Sequence, residues 1–546
     1  MFVELKRKLT RQTEDFRKDE SGALLVFGLM VMTMMLVGGG MAVDFMRYER
    51  ERARLQYALD RSILAAAALS QPLDPKVVVA DYLQKSEVDY TDLQSDPQSG
   101  TNFRRVEASA RISTNTFFVN MVGVNSLEAL SGSAAEERVR KVELSLVLDV
   151  SGSMGWASAT PDTTKLEALQ EAAIDFAETV LTADNNNLVS LNIIPYNMQV
   201  NVGQDVMDEL AVTLIHSDAN CIDFTTTQFE TMDMDTGILK TTYKQTGRFD
   251  PFYTSIRSPN TDLDDNSSRL WMCPTANWSQ PILMSQNFED IRDYINALEA
   301  GGNTSIDIGV KWGNFFLDDS SNSVLGTLPA SYGVDALFSD RPAAHSDDDT
   351  LKMLIVMTDG ENTTQYELED EYYTGLSDIY YDPDSSILSV YDDRRDGWGY
   401  DDHYFRSEVY DYDSSEDDFF DTPQNPSEAI RMDWSNVWAW MGPKYHAYYH
   451  HYRMRGWAGE YWEWRNKTMD QIGKTTKDSR LLKACQAAKD EEIVVFTIGF
   501  EVDNTSAGIM EDCATSESNF YRVEGIEIAN AFNGIVDTIQ RLKLTR

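Results

Sequence analysis

Between Gly22 and Val43 the chain runs for 22 residues without a charged side chain (GALLVFGLMVMTMMLVGGGMAV). About 20 apolar residues suffice for a helix to cross the hydrocarbon core of a bilayer. A cleaved leader would carry a shorter apolar region, about 7–15 residues, with small residues at its end. The stretch therefore predicts a retained transmembrane helix over 22–43, behind a short polar head at 1–21. Beyond it Leu55, Leu59, Ile63 and Ala66 fall at helical spacing, with Arg50, Glu51, Arg54 and Asp60 between them. The helix should continue over 44–70 and end near Leu73-Asp74-Pro75. A short helix and a polar loop are expected over 76–103. Two runs within 104–140, RRVEASARIST and TFFVNMVG, read as strands. A long helix leading into a small α+β unit over 44–140 has a pilin-like outline.

From residue 143 the pattern changes. ELSLVLDV is a short apolar run ending at Asp149-Val150, TTKLEALQEAAIDFAETVL (163–181) has one apolar face, and LVSLNIIPY (188–196) is a second apolar run. The alternation resumes with a strand at 281–284, a helix at 288–299, strands at 352–357 and 494–500, and a last helix over 525–542. Strands alternating with amphipathic helices predict an α/β fold with a doubly wound, mostly parallel sheet. Segments 200–279 and 363–474 interrupt it and are too long for ordinary loops, so they read as insertions.

Charge and cysteines refine the picture. The chain has 546 residues, 89 acidic and 47 basic, for a net charge of −42. That balance argues against nucleic acid, whose phosphates must be met by Lys and Arg. Segment 361–421 alone carries 20 acidic against three basic residues. Six basic residues precede the apolar span and five follow it, which leaves its orientation undecided. Cys221, Cys273, Cys485 and Cys513 form no C-x-x-C pair, so zinc-ribbon and thioredoxin-like readings are weak. An even number of scattered cysteines suits disulfides in an oxidising compartment such as a bacterial periplasm. Proximity favours Cys221–Cys273 and Cys485–Cys513 among the possible pairings. The expected localisation is a bacterial inner membrane, crossed once, with the bulk of the chain periplasmic or otherwise extracytoplasmic.

Candidate chemistry gathers at the ends of the predicted strands, where ligands bind in open α/β sheets. Asp149-Val-Ser151-Gly-Ser153-Met follows the first strand, Gly-Gly-Asn-Thr304-Ser follows a helix, and Thr358-Asp359-Gly360 follows the 352–357 strand. Carboxylate and hydroxyl oxygens are hard donors, suited to Mg²⁺, Mn²⁺ or Ca²⁺. D-x-S-G-S-M, G-G-x-T and T-D-G, in that order, resemble the metal-ion-dependent adhesion site (MIDAS) of von Willebrand factor type A domains. The resemblance implies that Asp149, Ser151, Ser153, Thr304 and Asp359 hold a divalent cation, foremost Mg²⁺, directly or through water. It also implies an open position on that ion for a partner's carboxylate, and a type A domain over 141–546.

The basic head, the span beginning SGALLVFGLM, the helix through MAVDFMRYERERARLQYALDRSILAAAAL and the C-terminal domain together resemble TadG-like pilus-assembly proteins of the bacterial tight-adherence (Flp/Tad) systems. The segments LLKACQAAKDEEIVVFTIGF and EDCATSESNFYRVEGIEIANAFNGI match that outline too. The resemblance implies a non-enzymatic adhesion or assembly protein whose partners are Tad pilus or secretion components. Prepilin sites carry Glu five residues after Gly; the fifth residue after Gly22 is Phe27, so prepilin-peptidase cleavage is not expected. The sequence carries no G-x-S-x-G, P-loop, H-E-x-x-H or dinucleotide fingerprint.

The second insertion holds Tyr366, Tyr372, Tyr373, Tyr380, Tyr381, Tyr391 and Tyr400, then Trp434, Trp438, Trp440, Trp457, Trp462 and Trp464. Either these build a local core or they form a recognition surface, which makes a surface adhesin or carbohydrate binder the alternative function. Asp411-Tyr-Asp413 lacks the Gly and Glu of an EF-hand loop. His446, His450 and His451 read as solvated or core histidines.

Overall fold

The computed structural model describes residues 2–18, 21–69, 71–99, 103–182, 188–217, 219–236, 242–252, 270–393, 403–406 and 419–545. The chain divides into two compact units, residues 1–139 with 544–546, and residues 140–543.

In the N-terminal unit, helix Phe2–Lys18 is followed by a single helix, Ser21–Ala67, of 47 residues. At 1.5 Å per residue it is about 70 Å long. Its first half exposes Leu24, Leu25, Phe27, Met30 and Met35. Among the described residues it contains the one segment long and apolar enough to cross a membrane, and it is a candidate single-pass anchor. Its second half buries Leu55, Leu59, Ile63 and Ala66 against helix Pro75–Lys85 and an antiparallel sheet. Helix Pro75–Lys85 starts where the sequence punctuates: Pro75 needs no hydrogen bond for its nitrogen, and Asp74 accepts from the Lys76 N–H at 2.7 Å.

The sheet consists of Thr91–Ser99, Phe103–Asn115 and Ser126–Val139. Three expectations change here. The polar loop before 103 is instead the edge strand Thr91–Ser99, paired through its backbone with Phe103–Asn115. TFFVNMVG is a 3₁₀ turn at Val119–Val122 rather than a strand. Leu544–Thr545, expected with the C-terminal domain, pairs with Val139 and Arg138 of this sheet.

The turn has a specific anchor. The Asp44 carboxylate accepts from the Phe117, Phe118 and Val119 N–H groups at 2.7–3.1 Å. One helical turn earlier, a Cβ on Gly40 would lie 2.3 Å from Phe118 Cγ, so only glycine lets the ring approach. Burial pushes the Asp44 carboxyl up, but those N–H groups and Arg47 outweigh it and hold it below the usual range.

The C-terminal unit is built on a six-stranded sheet in the order 520–523, 494–500, 350–358, 141–149, 189–196, 282–285. The first five strands are parallel, and the 282–285 edge strand is antiparallel. Every residue of Val189–Tyr196 is buried, as expected of a strand covered on both sides. Alternate residues serve opposite faces. Leu144, Leu146 and Leu148 pack with Phe176, Ile291, Phe532 and Ile535 from helices Lys165–Thr182, Phe288–Asn296 and Ile528–Lys543. On the other side Val147, Ile194 and Val356 share a core with Trp312, Leu481 and Met510 of helices Ile306–Phe315, Lys474–Asp490 and Asn504–Cys513.

Disulfides join Cys221 to Cys273 and Cys485 to Cys513, with Cα separations of 5.8 and 5.3 Å. The second ties two helices on one face of the sheet. Segment 200–279 extends the core on that face through Val206, Phe224 and Phe229, with the Phe224 ring 5.7 Å from Trp312. Segment 363–474 leaves and returns through an antiparallel pair, Gln365–Leu368 with Met469–Ile472. Beyond that pair it forms its own five-stranded sheet, in the order 419–420, 404–405, 388–391, 376–381, 430–433. Most described aromatics of this insertion build a local core: Tyr372, Trp434, Trp438 and Tyr445 are buried, together with Phe249 and Met272 of the first insertion. Trp457 and Trp462 remain exposed. Tyr400 and Asp411-Tyr-Asp413 lie outside the described residues.

Two measurements check these assignments. Replacing Cys485 and Cys513 together by Ala should lower the unfolding free energy of the C-terminal unit by about 3 kcal/mol, read from denaturant titration. Asp44→Asn should lower the melting temperature of the N-terminal unit at pH 7. Because the Asp44 pKa is depressed on folding, its contribution is fully present above the unfolded pKa and fades as pH falls through the folded one. The gap between variant and wild type should therefore close below about pH 4.

Candidate functional site

Strands 141–149, 189–196 and 350–358 are adjacent and parallel, so their carboxyl ends open on the same edge of the sheet. Asp149 ends the first of them and is fully buried. Its Oδ1 accepts from the Ser151 N–H at 2.8 Å, and its Oδ2 from the Thr358 hydroxyl at 2.8 Å. The Tyr196 hydroxyl donates to Met357 O at 2.9 Å and stands 3.3 Å from Asp149 Oδ2. Asp149 therefore cannot rotate without breaking contacts to both neighbouring strands.

After Asp149 the chain turns through Gly152–Gly155. Ser151 and Ser153, two residues apart, bring their hydroxyls within 3.2 Å, and Ser153 donates to Asp359 Oδ1 at 2.7 Å. The other oxygen, Asp359 Oδ2, accepts from the Lys165 ammonium at 3.0 Å, and Glu501 lies 3.9 Å from the same nitrogen. Asp149, Ser151, Ser153 and Asp359 thus form one hydrogen-bonded cluster.

Thr304 arrives on a separate loop, held to the first by the backbone. Gly152 donates to Gly302 O and Gly301 to Val150 O, both at 2.9 Å. Gly302 has φ +79°, and a Cβ there would meet Met198 Cε at 3.0 Å, so the position requires glycine on two counts. Thr304 is buried; its N–H donates to the Thr363 hydroxyl, and its carbonyl accepts from the Lys477 ammonium, each at 2.8 Å. The structure ties the Gly301-Gly302 end of the Thr304 loop to the Asp149 turn, while the hydrogen bonds of Thr304 itself run to Thr363 and Lys477.

Burial and the nearby Asp359 carboxylate push the Asp149 carboxyl up to about 6, against the opposing hydrogen bonds from Ser151 and Thr358. Two buried carboxylates repelling each other, with hydroxyls between them, make a set of hard oxygen donors that fits a divalent cation. Lys165 partly offsets the charge at Asp359. Lys165, Tyr196, Lys477 and Thr363 were not singled out from the sequence. Lys165 opens the helix after the turn and Thr363 follows the T-D-G loop, but nothing in their spacing announces a contact.

The family model described as "Putative Flp pilus-assembly TadE/G-like" matches residues 22–69. No curated protein matches the sequence. Among solved structures, the chain is similar to the vWF domain of the type V pili tip protein Mfa5 from Porphyromonas gingivalis, with 13% identity and a TM-score of 0.31, over 74% of this chain and 96% of that one. It is similar to the pilus adhesin SpaC from Lactobacillus rhamnosus GG, with 12% identity and a TM-score of 0.29, over 84% of this chain and 35% of that one. It is similar to the PilB minor pilin from Streptococcus sanguinis, with 11% identity and a TM-score of 0.28, over 83% and 78% of the two chains.

Gly302→Ala should destabilise the C-terminal unit by about 1–3 kcal/mol, through the left-handed backbone and the crowding at Met198. A denaturant melt checks this; an unchanged midpoint would mean that the two loops are not held as described.

Proposed function

We propose that this protein is a membrane-anchored, non-enzymatic adhesion or assembly protein of a Tad/Flp-type pilus system. In this reading residues 141–543 hold a doubly wound von Willebrand factor type A domain on the periplasmic side of the inner membrane. The observation that carries the proposal is the hydrogen-bonded cluster of Asp149, Ser151, Ser153 and Asp359, tied to the Thr304 loop at the carboxyl edge of a mainly parallel sheet. The family match over the apolar helix and its continuation supplies the pilus context.

The residues divide the work. Asp149 is locked by both neighbouring strands and fixes the position of the turn. Ser151 and Ser153 present their hydroxyls, Asp359 faces them from the adjacent strand end, and Thr304 comes from the Gly-rich loop. A divalent cation, Mg²⁺ in the first instance with Mn²⁺ or Ca²⁺ as alternatives, would neutralise the carboxylates and accept a carboxylate from a partner protein. For a chain of net charge −42, a cation is also what permits approach to an acidic partner. The alternative, recognition by the second insertion, has its support in Trp457 and Trp462, exposed on an otherwise aromatic-cored segment.

Capture of pilus components by the purified full chain tests the proposal. Asp149→Ala, Thr304→Ala and EDTA should each weaken capture at least tenfold, on the scale of a lost charge-assisted contact of about 1.5–3 kcal/mol. Undiminished capture in all three would remove the metal from the mechanism. A loss confined to Trp457→Ala with Trp462→Ala would favour the insertion. Lys165→Met should tighten Mg²⁺ binding in calorimetry, since the ammonium no longer holds Asp359.

A further inference from the structure

The second insertion brings three histidines and an aspartate together away from the sheet edge. Residues His446–Tyr452 form a π-helical segment. In an α-helix, at about 100° per residue, positions five apart would point to well-separated directions. The wider π turn brings His446 and His451 onto one face, and π segments recur at functional sites. His446 Nε2 and His451 Nε2 lie 3.0 Å apart, and both rings are buried. Asp378, on strand Leu376–Tyr381, brings a carboxylate oxygen into the same group, with all three ligand atoms within 4.8 Å of one another. Among the described residues, Asp378 Oδ1 is buried without a hydrogen-bond partner.

We propose that Asp378, His446 and His451 form a second metal site that takes Zn²⁺. Two imidazole nitrogens and one carboxylate are a borderline donor set that suits zinc rather than Mg²⁺ or Ca²⁺. Ligand atoms about 2.0–2.2 Å from a tetrahedral ion stand roughly 3.3 Å apart, so the nitrogens need open only slightly. The surroundings agree. His446 Nδ1 lies 2.8 Å from His450 Nδ1, which can fix the tautomer leaving Nε2 for the metal. Trp464 stacks on His451 at 3.5 Å, and Trp434 and Trp438 stand edge-on to His446, enclosing the group in apolar rings. The ion would join the 376–381 strand to the helical segment at 446–452, and water would complete the tetrahedron. The site is independent of the Asp149 cluster.

The test uses the full chain in detergent, stripped with chelator and then titrated with Zn²⁺ and Co²⁺. Wild type should take up one equivalent of zinc in the presence of excess Mg²⁺, show a visible Co²⁺ absorption band, and melt at a higher temperature with zinc. Asp378→Asn and His451→Gln should abolish uptake, and His450→Gln should weaken it about 10–100-fold. Should the ligand variants fail to fold, the wild-type cobalt band and zinc-dependent melting decide the matter. Absence of both from folded wild type, or full uptake by folded Asp378→Asn and His451→Gln, would overturn the proposal and leave a hydrogen-bonded histidine cluster.

Discussion

The Asp149 carboxylate is the joint on which the edge of the sheet depends. It is buried at the end of a central strand and receives hydroxyl contacts from the strands on either side, Thr358 on one and Tyr196 on the other. A buried charge with this many partners is tolerated because its lone pairs are satisfied. Its remaining conflict is with Asp359, and that conflict gives the edge its chemical character. The structure keeps two like charges close, with one ammonium beside them, rather than replacing either with a neutral group.

The same edge is connected to the second insertion. Lys477 is completely buried and donates to Thr304 O, Ser305 Oγ and Thr363 O at 2.6–2.9 Å. Thr363 returns to the site by accepting from the Thr304 N–H. Asp307 lies 3.9 Å from Lys477 and supplies the countercharge, while burial draws the Lys477 pKa down to about 8. The loop that carries Thr304 and the root of the insertion therefore share one set of polar contacts. A displacement of one must be felt by the other.

Much of this was legible in the chain itself. The strands ending at Asp149, Thr358 and Phe500 are predominantly apolar because both of their sides are covered, and such runs stand out. The candidate residues were readable because D-x-S-G-S-M, G-G-x-T and T-D-G occur in that order near the strand ends, and the structure joins Asp149, Ser151, Ser153 and Asp359 by hydrogen bonds. Other parts depended on distant contacts. Thr91–Ser99 (TDLQSDPQS) is a polar edge strand with Pro97, held mainly by the backbone ladder to its neighbour, with Leu93 as its one apolar contribution to the core. The 119–122 turn is fixed by Asp44, 75 residues before Val119. The histidines are buried, one of the two expected outcomes, but their approach to Asp378 was not readable, because a π turn has no propensity signature and Asp378 lies on a separate strand.

The pair Gln365–Leu368 and Met469–Ile472 has a mechanical consequence. At one end Gln365 follows strand 350–358 closely and Ile472 leads into helix Lys474–Asp490; at the other end both strands enter the insertion, side by side and antiparallel. A pull on the insertion directed away from the sheet would stretch the two strands together instead of sliding one along the other. The tension would pass through covalent backbone, while the ladder between them, lying across the force, would be spared. A segment attached in this way can bear a load along its two strands without being peeled from its base.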